Sequence, residues 1–393
     1  MRNYDIKRVA PKIGEIYRVV LENYRHGLRT FCPGANRFLR IENVIKVCNL
    51  WNVGLTMSKS ILVTGGFGFI GSHLVDAYLN LEDVSTVVVY DNLSTGTYEN
   101  LKHVKDERLV VIEGSILDKA KLSDTVRRYK IGFINHQAAE LEVSTGITNP
   151  FEDANTNIIG TLNVLCVALA NRVKRVFFAS SGAVYGEAKY VPVDENHPLE
   201  PHWPYGVSKL AAERYVMQYH KLYGLNVSAF RYGIVYGERE WFGRVLTLFI
   251  KRIFLEGKPP VIFGDGTQSR DFVYVKDIVR AQMLAMNNPM SNGEVFNLSS
   301  GTGVQIRQLA EDLLELSGRR FELIYDNPQE GSASQYQPGR VRLRGELKRF
   351  VLDSNKAKRI LKWVPETPFH KGVRAEIEWI TKNSAIWNVR PRV

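Results

Sequence analysis

Cysteine is scarce in this chain: Cys32, Cys48 and Cys166 are the only three in 393 residues, scattered and without a CxxC pair. That excludes a disulfide framework and a four-thiolate zinc site, and it fits a reducing compartment. The eight histidines are equally dispersed. With no HExxH or similar ligand spacing, no metal is expected. No apolar run reaches the ~18 residues a transmembrane helix needs, and the N-terminus lacks the apolar core and small-residue cleavage site of a secretory signal. The expectation is a cytoplasmic protein without membrane attachment. There is no low-complexity tract, no internal repeat and no GxSxG turn, which removes the nucleophile elbow of serine hydrolases.

What is present is an ordinary globular composition, 45% apolar and 24% charged. Net charge is +11, and residues 1–57 hold ten basic against four acidic side chains, so over half of the excess sits there. A basic surface suits nucleic acid or anionic lipid. A mildly basic enzyme that handles phosphorylated ligands accounts for the charge equally well, and the motifs favour it; no nucleic-acid partner is expected.

From residue 60 short β-branched runs alternate with amphipathic stretches. SILVT (60–64), TVVVYD (86–91), LVVIEG (109–114), IGFINH (131–136), RVFFASS (175–181) and NVSAFRY (226–232) read as buried parallel strands. The stretches 70–80, 117–130, 155–172 and 205–223 between them read as helices. The fold class is therefore α/β: a Rossmann-type doubly wound parallel sheet. After residue 233 the rhythm loosens, with helices at 243–256, 276–287, 305–317 and 371–382 that suggest a smaller C-terminal α/β substrate-binding lobe. Residues 1–57 form a basic N-terminal extension of unknown role, with an amphipathic helix at 13–28. This extension is either an appendage or lies upstream of a start at Met57.

The run ILVTGGFGFIGSHLV (61–75) places Gly65, Gly68 and Gly71 where a strand turns into a helix. The first glycine permits the turn, the second lets a pyrophosphate approach the main chain, and the third lets helix and strand pack closely. A tight βα turn alone would explain the glycines. Asp91, however, ends the next strand 20 residues beyond Gly71, where a carboxylate binds the adenosine ribose. NLSTG (92–96) offers no arginine for a 2′-phosphate, so NAD is favoured over NADP. Residues 58–232 are then the NAD-binding domain and 233–393 mainly the substrate-binding lobe.

Tyr205 and Lys209 in PYGVSK stand one helical turn apart on one face. An adjacent ammonium lowers a phenol from its usual pKa of about 10, which makes Tyr205 a general base for a sugar or alcohol hydroxyl. Ser181, at the carboxyl end of a buried strand, is placed to hydrogen-bond the substrate oxygen, and Ser180 to contact the sugar.

With these residues in place, the chain from 58 to 382 resembles the extended short-chain dehydrogenase/reductase superfamily. The resemblance is to its NAD-dependent nucleotide-sugar epimerase/dehydratase family of the UDP-glucose 4-epimerase type. It rests on VTGGFGFIGSHL, DNLSTG, NHQAAE, NTNIIGTLNVL, SSGAVYG, PYGVSK, FRYGIVYG, GDGTQSRDFVYVKD and NLSSGTG, in that order. It implies that Ser181, Tyr205 and Lys209 are catalytic and that Gly65, Gly68, Phe69, Ile70, Gly71, Asp91, Asn92, Ala138, Ala139, Asn157, Tyr205, Lys209 and Tyr232 belong to the cofactor site. Arg270 matches the arginine that grips the substrate diphosphate, its rival role being a surface pair with Asp271. Arg342 or Arg344 would be a second.

Three departures stand out. Ser115 replaces an aspartate that reads adenine, leaving that contact to Ser115, Ile116 and the main chain. Ile234 replaces an asparagine offered to the sugar nucleotide. Gly182-Ala183 replace the acidic pair that related 4,6-dehydratases use to eliminate water. The resemblance, with small neutral residues leaving no proton donor or base for elimination, thus implies a C4 epimerase of a UDP-hexose that acts through a transient 4-keto intermediate. A 4,6-dehydratase, a UDP-glucuronate epimerase or a non-catalytic NAD-binding regulator are the alternatives. Relatives often form homodimers through two long helices, for which 155–172 and 205–223 are the candidates.

Overall fold

The structure is a computed structural model that describes residues 59–240, 243–337 and 339–385; the 1–57 extension and its expected helix lie outside them. The chain begins with β1 (Lys59–Thr64), α1 (Phe69–Leu79), β2 (Val84–Asp91), β3 (Leu109–Glu113), α2 (Lys119–Arg128) and β4 (Phe133–His136). It continues through α3 (Gly160–Ala170), β5 (Arg175–Ser181), α4 (Pro204–Tyr223), β6 (Val227–Tyr232), β7 (Ile234–Tyr236) and α5 (Val245–Ile250). Then come β8 (Val261–Phe263), β9 (Ser269–Tyr274), α6 (Val275–Met286), β10 (Glu294–Leu298), β11 (Gly303–Gln305) and α7 (Ile306–Ser317). The last elements are β12 (Ile324–Asp326), β13 (Arg349–Phe350), a short helix Asn355–Leu361 and α8 (Phe369–Lys382).

Seven strands form one sheet in the order β3-β2-β1-β4-β5-β6-β10, every pairing parallel. Because successive side chains leave a strand on opposite faces, each continuous apolar run feeds two cores. Ile61, Val63, Val87, Val89, Phe177 and Phe230 pack with α1 and α6 on one face. Leu62, Val88, Ile134, Val176, Phe178 and Ala229 pack with α2, α3 and α4 on the other. The doubly wound sheet expected from the alternation is the one observed.

Two features were not legible. Strand β10 lies at the sheet edge, although its segment falls in the stretch read mainly as the lobe. Its sequence EVFNL is broken by Glu294 and Asn297, and Asn297 is fully buried. Its polar atoms are satisfied from outside the strand: the Tyr185 hydroxyl donates to Asn297 Oδ1 at 2.7 Å, and Asn297 Nδ2 donates to Val193 O at 2.9 Å. The expected helix 155–172 is also divided, with a widened π-type turn over Asn155–Ile159 before α3.

The lobe is built from a small mixed sheet, β11-β9-β13 with β7 beside β9, and the pair β8–β12. Strand β7 leads directly out of β6, so the lobe is hung from the carboxyl edge of the main sheet.

Candidate active site

The turn after β1 has the geometry its glycines demand. Gly65 adopts φ +68°, and a Cβ there would lie 2.7 Å from the Ala138 nitrogen; a Cβ on Gly71 would lie 2.1 Å from Gly65 O. Only glycine permits both the turn and the close approach. Asp91 closes the turn from the end of β2. Its Oδ2 accepts the Phe67 N–H at 2.9 Å and its Oδ1 the Leu93 N–H at 2.8 Å. Burial pushes its carboxyl above the usual range, against the pull of those two amides. Asn92 is exposed beside it, its Oδ1 accepting from Ser94. Phe69 and Ile70 open α1. Gly68, between the two tightly packed glycines, donates its N–H to Gly65 O at 3.0 Å.

Facing this turn, Ala138 N donates to Thr64 Oγ1 at 3.3 Å, which places Ala138 and Ala139 just past the end of β4. Ser115 Oγ accepts the Leu117 N–H at 3.2 Å, and the buried Ile116 packs against Gly160. Tyr232, at the end of β6, accepts from Gln282 Nε2 at 2.9 Å; burial raises its phenol.

At the carboxyl end of β5, Ser181 Oγ accepts the Ala183 N–H at 3.1 Å, and its hydroxyl favours ionisation of the Tyr205 phenol. The neighbourhood is enforced by packing, since a Cβ on Gly206 would lie 2.6 Å from Ala183 O, so the start of α4 rests on the turn after β5. Pro204 occupies the first turn of α4 and Gly224 ends it at φ +69°. Lys209 is buried, with Nζ 4.6 Å from the centre of the Phe178 ring. Burial pulls its ammonium down to about 8, opposed first by the charge of Asp153 and then by that of Glu213.

The phenol itself departs from the expectation. Burial raises Tyr205, and the charges opposing that rise are the Ser181 hydrogen bond and Arg244 rather than Lys209. A protein interior disfavours a lone phenolate, so the lowering expected from the amine does not outweigh desolvation in the protein by itself.

Ser180 is not brought to the sugar side. It is buried, and its hydroxyl donates to Glu213 Oε2 at 2.6 Å. Glu213 in turn holds Arg231 through two bonds, Nε–Oε2 at 2.9 Å and Nη2–Oε1 at 2.6 Å. Arg270 makes no pair with Asp271, because adjacent strand residues face opposite ways. Its guanidinium donates to Leu347 O at 2.8 Å and reaches Glu346 at 3.5 Å. Asp271 is turned inward and accepts from Ser300, Gly301 and Leu352. Arg342 holds Asn327 and Pro328 O, while Arg344 accepts the Trp203 indole N–H on its carbonyl.

Asn157 is the hinge of a wider network. Its Nδ2 donates to Glu140 O at 2.9 Å, Ser208 Oγ at 3.0 Å and Asp153 Oδ2 at 3.2 Å, and its Oδ1 accepts the Glu140 N–H at 3.0 Å. Residues that the sequence reading did not single out also converge here. Glu142 and Arg244 both act on the Tyr205 phenol, and Arg340 acts on Glu142. Glu213 carried a signal, being one further turn along the face of Tyr205 and Lys209. Arg244 and Arg340 carried none, since only the lobe's folding brings them to this edge. Among the described residues no cluster of His, Cys, Asp or Glu could hold a metal ion.

A family model described as GDP-mannose 4,6 dehydratase matches residues 62–376. The chain belongs to the NAD-dependent epimerase/dehydratase family of the extended short-chain dehydrogenases/reductases, and it is an enzyme of that family. A UDP-glucose 4-epimerase from Mycolicibacterium smegmatis is 33% identical over 328 residues, 82% of this chain and 99% of that protein. The crystal structure of Thermotoga maritima UDP-glucose 4-epimerase with UDP-glucose superposes with TM-score 0.74 at 36% identity, over 83% of this chain and 99% of that one. A dTDP-glucose 4,6-dehydratase from Streptomyces venezuelae, solved with NAD, gives TM-score 0.75 at 30% identity, over 84% and 99%. NAD is the cofactor of the family, and nucleotide-sugar epimerisation is the activity the relatives support.

Proposed function

We propose that the protein inverts C4 of a UDP-hexose of the glucose/galactose type. The observation that carries this reading is the packing of the start of α4, with Tyr205 and the buried Lys209 one turn apart, onto the turn after Ser181 at the sheet edge. Gly65, Gly68, Phe69, Ile70, Gly71, Asp91 and Asn92 would hold NAD. Ser115, Ile116, Ala138, Ala139, Asn157 and Tyr232 would complete its surround. The glycine cradle, which a Cβ at 65 or 71 would fill, fits a pyrophosphate. When bound, NAD accepts the C4 hydride and returns it. Tyr205 takes the C4 hydroxyl proton, Ser181 orients that oxygen, and Lys209 stabilises the phenolate as it forms. Beside a bound, positively charged nicotinamide the Tyr205 phenol would be lowered, which the protein by itself does not achieve. Inversion would require the 4-keto sugar to turn over in the pocket before Tyr205 returns the proton to its oxygen. Arg270, with either Arg342 or Arg344, is assigned to the diphosphate.

Elimination is disfavoured by packing as well as chemistry. A Cβ on Gly182 would lie 2.2 Å from the Phe350 ring, so an acid at this position has no room. The test is to mix the purified protein with UDP-glucose and resolve the products. UDP-galactose without added NADH supports the reading, and a 4-keto-6-deoxy sugar overturns it.

A homodimer in the cytoplasm completes the proposal. Val207, Tyr215, Leu222 and Tyr223 leave apolar surface exposed along α4, as does Ile159 ahead of α3. Light scattering on the full chain gives twice the monomer mass if these faces pair. Among the described residues no helix is long and apolar enough to cross a membrane.

A further inference from the structure

Asp153 lies on the short helix Pro150–Ala154 and is 1% exposed. No motif reading assigned it a task. Its Oδ2 accepts from Asn157 Nδ2 at 3.2 Å, and the same Nδ2 donates to Ser208 Oγ at 3.0 Å. Ser208 precedes Lys209 in α4, and its Oγ lies 3.0 Å from the Tyr205 carbonyl. Asn157 therefore ties the carboxylate to the first turn of α4 at Ser208, which lies between the two reacting residues in the chain. A Cβ on Gly146 would lie 3.4 Å from Asp153 Oδ2 and 3.3 Å from the Tyr205 nitrogen, so both are packed on one point of the 143–148 helix.

The charges around Lys209 make Asp153 distinctive. From α4 itself comes Glu213, whose two oxygens are taken by Arg231 in a fully buried pair. From β4 comes His136, held neutral by burial and bonded to Thr64 and Thr161. Glu142, Arg244 and Tyr232 face the Tyr205 phenol from the 140–143 stretch, the loop after β7 and the end of β6. Asp153 makes none of the ion pairs found among the described residues; the side chain that donates to it, Asn157, is neutral. Its negative charge is thus left to act on Lys209, whereas that of Glu213 is already met.

We propose that Asp153 is a positioning residue for the reacting pair, bracing the first turn of α4 through Ser208 and Asn157 and supplying the negative charge that holds the Lys209 ammonium. This rests on the reading of Tyr205 and Lys209 as that pair. Burial draws Lys209 down to about 8, and Asp153 is the first of the charges that resist it. The same carboxylate raises the Tyr205 phenol. Neutralising Asp153 therefore moves both ionisations in one direction, toward lower pH. Loss of a purely structural contact would instead lower activity at every pH without moving either limb.

The experiment uses the full chain saturated with NAD. Lysine side-chain NMR, with the Lys209 signal assigned through Lys209→Arg, follows its titration in the parent and in Asp153→Asn. The expected result is a downward move of about one unit, ten-fold in the ionisation constant, and both limbs of the kcat/KM profile on UDP-glucose moving with it. Asp153→Glu keeps the charge and returns the Lys209 titration toward the parental value; Asp153→Ser is the second neutral replacement should the amide fail to fold. An unmoved Lys209 titration in the folded neutral variant overturns the inference. A Tyr205→Phe variant that turns over like the parent overturns the underlying reading instead, whatever Asp153→Asn does.

Discussion

Ser180 and Ser181 are consecutive on β5, yet their hydroxyls serve different parts of the molecule. Ser180 Oγ donates to Glu213 Oε2 at 2.6 Å, whereas Ser181 Oγ accepts the Ala183 N–H at 3.1 Å and favours ionisation of the Tyr205 phenol. Their replacements should separate accordingly. Ser180→Ala removes a hydrogen bond to a charged group and costs about 1.5–3 kcal/mol of stability in urea unfolding, with turnover near parental. Ser181→Ala should leave the unfolding midpoint in place and lower kcat about a hundred-fold. Equal kinetic loss in both variants would contradict this division.

Tyr205→Phe keeps the ring and deletes the acid–base group. Turnover should fall by about 10²–10⁴, with NAD still bound and the thermal midpoint retained. Product analysis by chromatography of the nucleotide sugars measures it, and a loss of under ten-fold would remove Tyr205 from the chemistry.

The Glu213–Arg231 pair is buried on both sides, with side chains 2% and 4% exposed. Glu213→Gln leaves an unmatched guanidinium in the interior and should cost about 3–5 kcal/mol, read as a lower urea midpoint at unchanged slope. A stability change under 1 kcal/mol would show that Arg231 finds another partner.

Glu240 and Glu376 place two carboxyls together in the interior. The Gly237 N–H donates to Glu376 Oε2 at 3.0 Å, while Arg244 stands 3.9 Å from Glu240. Burial raises both carboxyls, Glu240 to about 7, and their mutual repulsion adds to the rise of Glu376. Folded-state pKa values above the unfolded ones mean that the folded protein binds more protons. This contribution is therefore greatest at low pH and is lost as pH rises from the ordinary carboxyl range through about 7. Glu240→Gln removes one ionisation, so its thermal midpoint should gain on the parent between pH 5 and pH 8. A difference that is flat over that interval would contradict the pairing.

Much of the site was legible because its signals are local. Gly65, Gly71 and Asp91 announce themselves by spacing, since a βα turn and a strand end are set within one unit of chain. Tyr205 and Lys209 share a helix face for the same reason. Ser180 was misread because a strand-end serine has two faces to choose from, and only the position of Glu213 on α4 decides which way its hydroxyl bonds. For Arg270 a pair with Asp271 was the rival to a diphosphate contact, and strand alternation turns those two side chains apart.

The sequence by itself determined the alternation of strand and helix, the glycine turn, and the register that sends alternate side chains into two cores. These follow from backbone sterics and apolar periodicity acting over fewer than about twenty residues. Tertiary structure alone decided that EVFNL joins the main sheet, that Phe350 closes the space above Gly182, that Asp153 and Arg244 gather around Tyr205, and that Arg340 meets Glu142. Those arrangements depend on burial and charge between segments far apart in the chain. Only after the elements pack does a low-dielectric interior exist in which such groups must find partners or change their ionisation.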